Sequence, residues 1–198
     1  MGGQGSQIKL KKVKLTRKLI TELASSSHFS EAEIKILYDR FQVLVKEHKH
    51  KGGINVADFM DILGMSSVQL TEYIFAAFDR NGDKTIDFPE YIHGLSPLCD
   101  RADASEKVEF LFHVFDMDKD GLIKIDKFKE IMAVVVKERS TYVPDEQVSI
   151  LVDSTIRTID PEGKGVVDFK QWKESVSNYP FLLNFASIDL KLLLSPKQ

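Results

Sequence analysis

Between Asp79 and Glu90 the chain sets oxygen-bearing side chains at alternating places in a twelve-residue stretch. Asp79, Asn81 and Asp83 stand at positions 1, 3 and 5, Asp87 at position 9 and Glu90 at position 12. Thr85, at position 7, offers its backbone carbonyl. Hard, partly anionic oxygens at this spacing suit Ca2+, which takes roughly six to eight oxygen ligands and favours a bidentate glutamate at the close of such a loop. The expected metal ligands are therefore Asp79, Asn81, Asp83, Thr85, Asp87 and Glu90. Position 6, where the chain turns sharply, suits glycine but carries Lys84. A left-handed backbone there costs a residue with a side chain about 1–2 kcal/mol. Charged to the bound state alone, that weakens binding by roughly five- to thirtyfold. Gly82, at position 4, eases the turn.

A third stretch, Asp116 to Lys127, begins equally well with Asp116, Asp118, Asp120, Gly121 and the Leu122 carbonyl. Its position 12 is Lys127, a positive charge in place of the bidentate ligand. The expectation is weak Ca2+ binding, or Mg2+, which needs fewer protein ligands because it keeps its waters. An empty loop with a structural role stands beside that as an equal alternative. A fourth stretch, 160–171, has Glu162 at position 3 but Lys164 at 5 and Gln171 at 12. Gly165 and Val167 keep the shape of the loop without its chemistry, so it is expected to be metal-free. The first stretch, within 45–58, is over-long and offers Glu47, Lys49 and Lys51 where carboxylates belong. It is not expected to bind calcium.

Other combinations are weaker. His48 and His50 have a zinc-like spacing without third and fourth ligands. Cys99 with His93 lacks an orienting group and an oxyanion donor. No glycine-rich phosphate loop is present.

Four apolar residues, Ile54, Ile86, Ile123 and Val167, follow the turns of the four loops, and each loop lies between two helical patterns. Ser30 and Glu33 form a capping box ahead of a helix over about 31–45, whose Ile34, Leu37, Tyr38, Phe41 and Leu44 share one face. Later entering helices are predicted over 67–78, 105–115 and 145–158, and exiting helices from near Phe59, Tyr91, Phe128 and Trp172. The fold class that follows is all-α: two pairs of helix–loop–helix units with short antiparallel ladders between paired loops, plus helical extensions at both ends. Residues 1–28 form a basic extension, 29–98 the first pair, 99–104 a linker centred on Asp100–Asp103, 105–178 the second pair and 179–198 an apolar helix. In that last helix Phe181, Phe185, Ile188 and Leu192 line one side. It either packs as core or competes for a partner-binding groove.

The chain has 198 residues, 43% hydrophobic and 29% charged, as ordinary globular proteins do. Its net charge is −3, yet residues 1–18 hold Lys9, Lys11, Lys12, Lys14, Arg17 and Lys18 without an acid, which leaves −9 for the rest. An acidic body argues against nucleic acid as its partner. One cysteine, Cys99, permits no internal disulfide and favours a cytoplasmic location. Gly2, in Met1-Gly2-Gly3-Gln4-Gly5-Ser6, fits the N-myristoylation pattern. The six cations that follow supply the second signal that stable membrane attachment needs. The alternative is a basic helix over 8–23 that docks on the acidic body or on a filament.

Leu37-Tyr38-Asp39-Arg40-Phe41 through Phe59, with its over-long first loop, resembles the first hand of the calcineurin B-like group of four-EF-hand calcium sensors. The stretch from Trp172 through Tyr179-Pro180-Phe181-Leu182-Leu183 is similar to the same group. Phe78-Asp79 through Tyr91-Ile92-His93-Gly94-Leu95-Ser96 also resembles calaxin, a ciliary sensor associated with outer-arm dynein. The resemblance covers nearly residues 30–185 and implies a non-catalytic protein that acts by binding others.

Three functions compete. In the first, a regulatory sensor couples calcium at the second loop to binding of an amphipathic helix from a target: a kinase, phosphatase, transporter or dynein-associated protein. In the second, a constitutive, calcium-modulated subunit belongs to a ciliary or axonemal dynein assembly. A calcium buffer is disfavoured, because buffers need several intact sites.

Overall fold

A computed structural model describes residues 14–47, 53–63, 65–139 and 143–178. Gly2, the residues 48–52 of the first loop and the apolar tail 179–198 lie outside the described residues. Among the described residues the chain is helical: α1 (Arg17–Ser25), α2 (Glu31–Glu47), α3 (Val56–Leu63), α4 (Val68–Phe78), α5 (Phe88–Leu95), α6 (Ala104–Phe115), α7 (Ile125–Arg139), α8 (Asp145–Ile159) and α9 (Phe169–Asn178). Two short strands, β1 (Leu122–Lys124) and β2 (Val166–Asp168), pair antiparallel, and a 3-10 turn (Ser96–Leu98) follows α5. None of these helices is long and apolar enough to cross a membrane.

The marker residues pair as the repeat requires. Ile54 and Ile86 exchange two backbone hydrogen bonds of 2.9 and 2.8 Å, and Ile123 lies opposite Val167. All four side chains are buried. Each pair of loops is thus joined at its centre, with an apolar contact between the joined residues.

Helix starts follow from local capping. The Ser30 hydroxyl accepts from the Glu33 amide at 3.3 Å while Glu33 accepts from the Ser30 amide at 2.8 Å. Asp103 and Glu106 repeat this exchange at α6, and Ser67 caps α4 alone. The exiting helices begin one turn before the predicted aromatic residues, at Val56, Phe88, Ile125 and Phe169. The cause lies in the loops themselves. Asn55 with Asp58, Asp87 with Glu90 and Asp168 with Gln171 are reciprocal caps, so the last loop residues already form the first helical turn. The aromatic residues then fall inside, each buried.

The core is continuous across both halves. Phe78, the last residue of α4, meets Phe59 of α3 edge-to-face at 4.9 Å and Phe110 of α6 at 5.9 Å. Phe115 meets Phe128 at 4.7 Å and Trp172 at 5.4 Å. The Trp172 indole donates to the Val108 carbonyl at 2.9 Å, which satisfies its polar edge in a fully buried position. Between the halves Leu98, Cys99 and Ala102 are buried, while Arg101 bonds Glu33 at 2.8 Å and lies over the Phe29 ring at 5.9 Å. At the N-terminal end, α1 is capped by Thr16, buries Ile20 and Leu23, and packs on α2 and α5.

Candidate metal centre

The second loop runs from the end of α4 into the first turn of α5. Its carboxylates are folded onto its own amides. Asp79 Oδ1 accepts from Gly82 and Asp83 at 2.8 and 3.2 Å, and Oδ2 accepts from Lys84 at 2.9 Å. Asn81 accepts from the Asp83 amide at 2.8 Å, and Asp83 accepts from the Thr85 amide and hydroxyl at 2.9 and 2.7 Å. Glu90 closes the ring: Oε1 takes the Arg80 and Asn81 amides at 3.1 and 3.2 Å, and Oε2 takes the Asp87 amide at 2.9 Å. All six expected ligands therefore sit in one loop, at the ends of two helices anchored in the core.

Asp79 and Glu90 are buried, and among the described residues neither carboxylate pairs with a lysine or arginine. Burial raises the Glu90 pKa; amide bonds from Asp87 and Asn81 offset part of this, and the Asp87 and Asp79 charges push it further up. A buried carboxylate without a counter-charge is costly. The donor set thus fits a hard cation, which would supply that charge. Among the described residues, no three acidic, imidazole or thiol groups converge closely enough to hold an ion as the side chains stand. Glu90 would supply the closing carboxylate of such a site.

The backbone changes the reading of Lys84. It has φ 66°, as position 6 requires, but position 4 is left-handed as well: Gly82 at 73°, Lys119 at 55° and Gly163 at 65°. Position 6 of the other two loops is Gly121 at 83° and Gly165 at 77°. The second and third loops therefore each place one lysine and one glycine in left-handed backbone, in opposite order. Lys84 is no handicap relative to the third loop. Glycine at position 4 in two of the loops was the signal available in the sequence.

In the third loop Asp116 accepts from the Asp120 and Gly121 amides at 3.2 and 3.0 Å, and Asp120 accepts from Leu122 at 3.0 Å. The charge at position 12 leaves the loop: Lys127 pairs with Glu130 at 3.0 Å. Sequence reasoning passed over Lys124 at position 9, whose ammonium bonds Asp118 and lies 3.3 Å from Asp120. It also missed Lys119, which donates to the Asp79 carbonyl of the second loop at 3.1 Å. In the fourth loop Asp160 holds the Lys164 and Gly165 amides at 2.9 and 2.8 Å, and the Lys164 ammonium rests on Glu162. Of the other combinations, Cys99 is buried and His93 meets the Ser26 hydroxyl at 3.0 Å.

Helix, twelve-residue loop and helix, with paired loops joined through one apolar residue each, is EF-hand architecture. The family described as EF-hand domain pair matches residues 50–93, 104–132 and 122–176. Among curated proteins, the type 2 calcineurin B subunit of Dictyostelium discoideum is 36% identical over 159 residues, 80% of this chain and 84% of the relative. The type 2 calcineurin B subunit of Homo sapiens is 33% identical over 150 residues, 76% of this chain and 85% of the relative. The calcineurin B subunit of Candida glabrata is 32% identical over 159 residues, 80% and 88% respectively. The chain belongs to the four-EF-hand calcium sensors of the calcineurin B-like group. It is a calcium-binding regulatory protein.

Proposed function

We propose that the chain binds Ca2+ through Asp79, Asn81, Asp83, Thr85, Asp87 and Glu90, and passes the change to a helix of a partner protein. The observation that carries this reading is the pair of buried carboxylates, Asp79 and Glu90, neither of which pairs with a lysine or arginine among the described residues. The relatives are named as subunits of a larger assembly, which supports a role exercised on another chain rather than by catalysis. An acylated Gly2, backed by the cations of residues 9–18, adds peripheral attachment to an anionic membrane.

Calorimetric titration of the full chain tests the reading. One main calcium is expected, and Glu90→Gln weakens it by roughly tenfold or more, the factor that about 1.4 kcal/mol represents. Unchanged binding in Glu90→Gln refutes the site. The lysines of the third loop favour a second reading, a constitutive subunit whose contacts calcium only adjusts. Partner capture with and without calcium divides the two: a sensor gains its partner with calcium, a constitutive subunit holds it in both.

A further inference from the structure

Where the second loop has Gly82, Asp87 and Glu90, the third has Lys119, Lys124 and Lys127. Each of these three ammonium groups has a defined partner. Lys124 Nζ, carried on β1, bonds the position-3 carboxylate of Asp118 and stands 3.3 Å from the position-5 carboxylate of Asp120. A divalent ion would bring those same two groups together. Asp116 has both oxygens on loop amides, as Asp79 has in the second loop. Lys127 turns away to Glu130, whose Oε1 accepts from the Tyr73 hydroxyl at 2.9 Å and from the Gln69 amide. Tyr73 and Gln69 are on α4, the helix that enters the second loop. Lys119 reaches the other end of the same helix at the Asp79 carbonyl.

We propose that Lys124 is the resident cation of the third loop and the residue that keeps a metal out of it. The third hand is then a fixed strut, and its lysines and Glu130 brace α4 at both ends. In a sensor of this build, one loop answers calcium and its neighbour holds the entering helix still. The strut is tested apart from calcium binding at the second loop, which has its own readout in Glu90→Gln, so the two can fail separately.

The test compares two variants of the full chain. Lys127→Glu supplies the missing ligand at position 12 and leaves Lys124 in place; Lys124→Ala with Lys127→Glu also removes the resident cation and adds no oxygen at position 9. Both place the new carboxylate near Glu130, so that disturbance cancels in the comparison. The double variant is expected to bind a second Ca2+ by calorimetry, at least roughly tenfold tighter than Lys127→Glu alone. Equal second-site affinity in the two variants overturns the role of Lys124. So does a second Ca2+ or Mg2+ bound at the third loop of the unaltered chain. Lys124→Gln gives an independent measure through hydrogen exchange, in calcium-free buffer, of the Leu122 amide, which donates to the Asp120 carboxylate beside Lys124. Exchange rises by roughly two- to fivefold, the range an exposed ion pair commands. Unchanged exchange refutes the proposal even if neither loop variant binds a second ion.

Discussion

Gly94 lies near the end of α5, and a methyl group there would meet the Phe78 ring at 2.2, 2.4 and 2.5 Å from three of its carbons. Gly94→Ala therefore opposes two effects. Alanine improves helix propensity by up to about 1 kcal/mol, less at a helix end than in its interior. Overpacking a filled core costs about 1–3 kcal/mol. The clash belongs at the upper end of that range, because Phe78 cannot retreat freely: Phe59 stands at 4.9 Å on one edge and Phe110 at 5.9 Å on another. The net loss is about 2 kcal/mol, which for a chain of this length lowers Tm by roughly 4–8 °C. Thermal denaturation followed by circular dichroism measures it. A double-mutant cycle with Phe78→Leu sharpens the attribution, since the smaller side chain makes room and the two losses should sum to less than they do singly. A variant that melts at or above the parent temperature refutes the argument, because propensity would then have outweighed the contact.

Two further outcomes follow. Lys84→Gly removes a side chain from backbone at φ 66°; relief of about 1–2 kcal/mol less the entropy cost of glycine, about 0.5–1 kcal/mol, leaves a gain of roughly 0–1.5 kcal/mol in urea unfolding. Burial alone would raise the Glu33 pKa, but hydrogen bonds from Arg101 and from the Ser30 amide and hydroxyl, with the guanidinium charge, hold it below the ordinary carboxylate value. A depressed folded pKa stabilises above the ordinary value and loses that stabilisation as pH falls through the folded one. The pair is partly exposed, so Arg101→Gln should lower stability by no more than about 1 kcal/mol at neutral pH, and by less as the medium is acidified. A difference between the two proteins that stays constant down to acid pH removes the pair from the account.

Features that repeat were legible in the sequence. Ile54, Ile86, Ile123 and Val167 recur at one place in each loop, and the structure pairs them because each loop centre must bury its apolar residue against another. The entering helices follow from 3–4 spacing and from caps such as Ser30 with Glu33. What escaped was carried by long side chains and distant partners. Lys124 reaches back into its own loop, Lys119 crosses to the second loop, and Glu130 collects Tyr73 and Gln69 from a helix far away in sequence. None of these contacts has a period, and a lysine reads equally well as a solvated surface charge. The left-handed turn at position 4 was visible in Gly82 and Gly163 but hidden by Lys119.

The chain has one tryptophan, and it is seated among Phe115, Phe128 and the Val108 carbonyl, in the half of the molecule that does not hold the second loop. Its ultraviolet emission is therefore a gauge already installed at the far side of the molecule. Steady emission during a calcium titration means that the third and fourth hands stood still. Altered emission means that the disturbance crossed through α4, whose Phe78 meets Phe110 of α6 and whose Tyr73 and Gln69 bond Glu130 of α7.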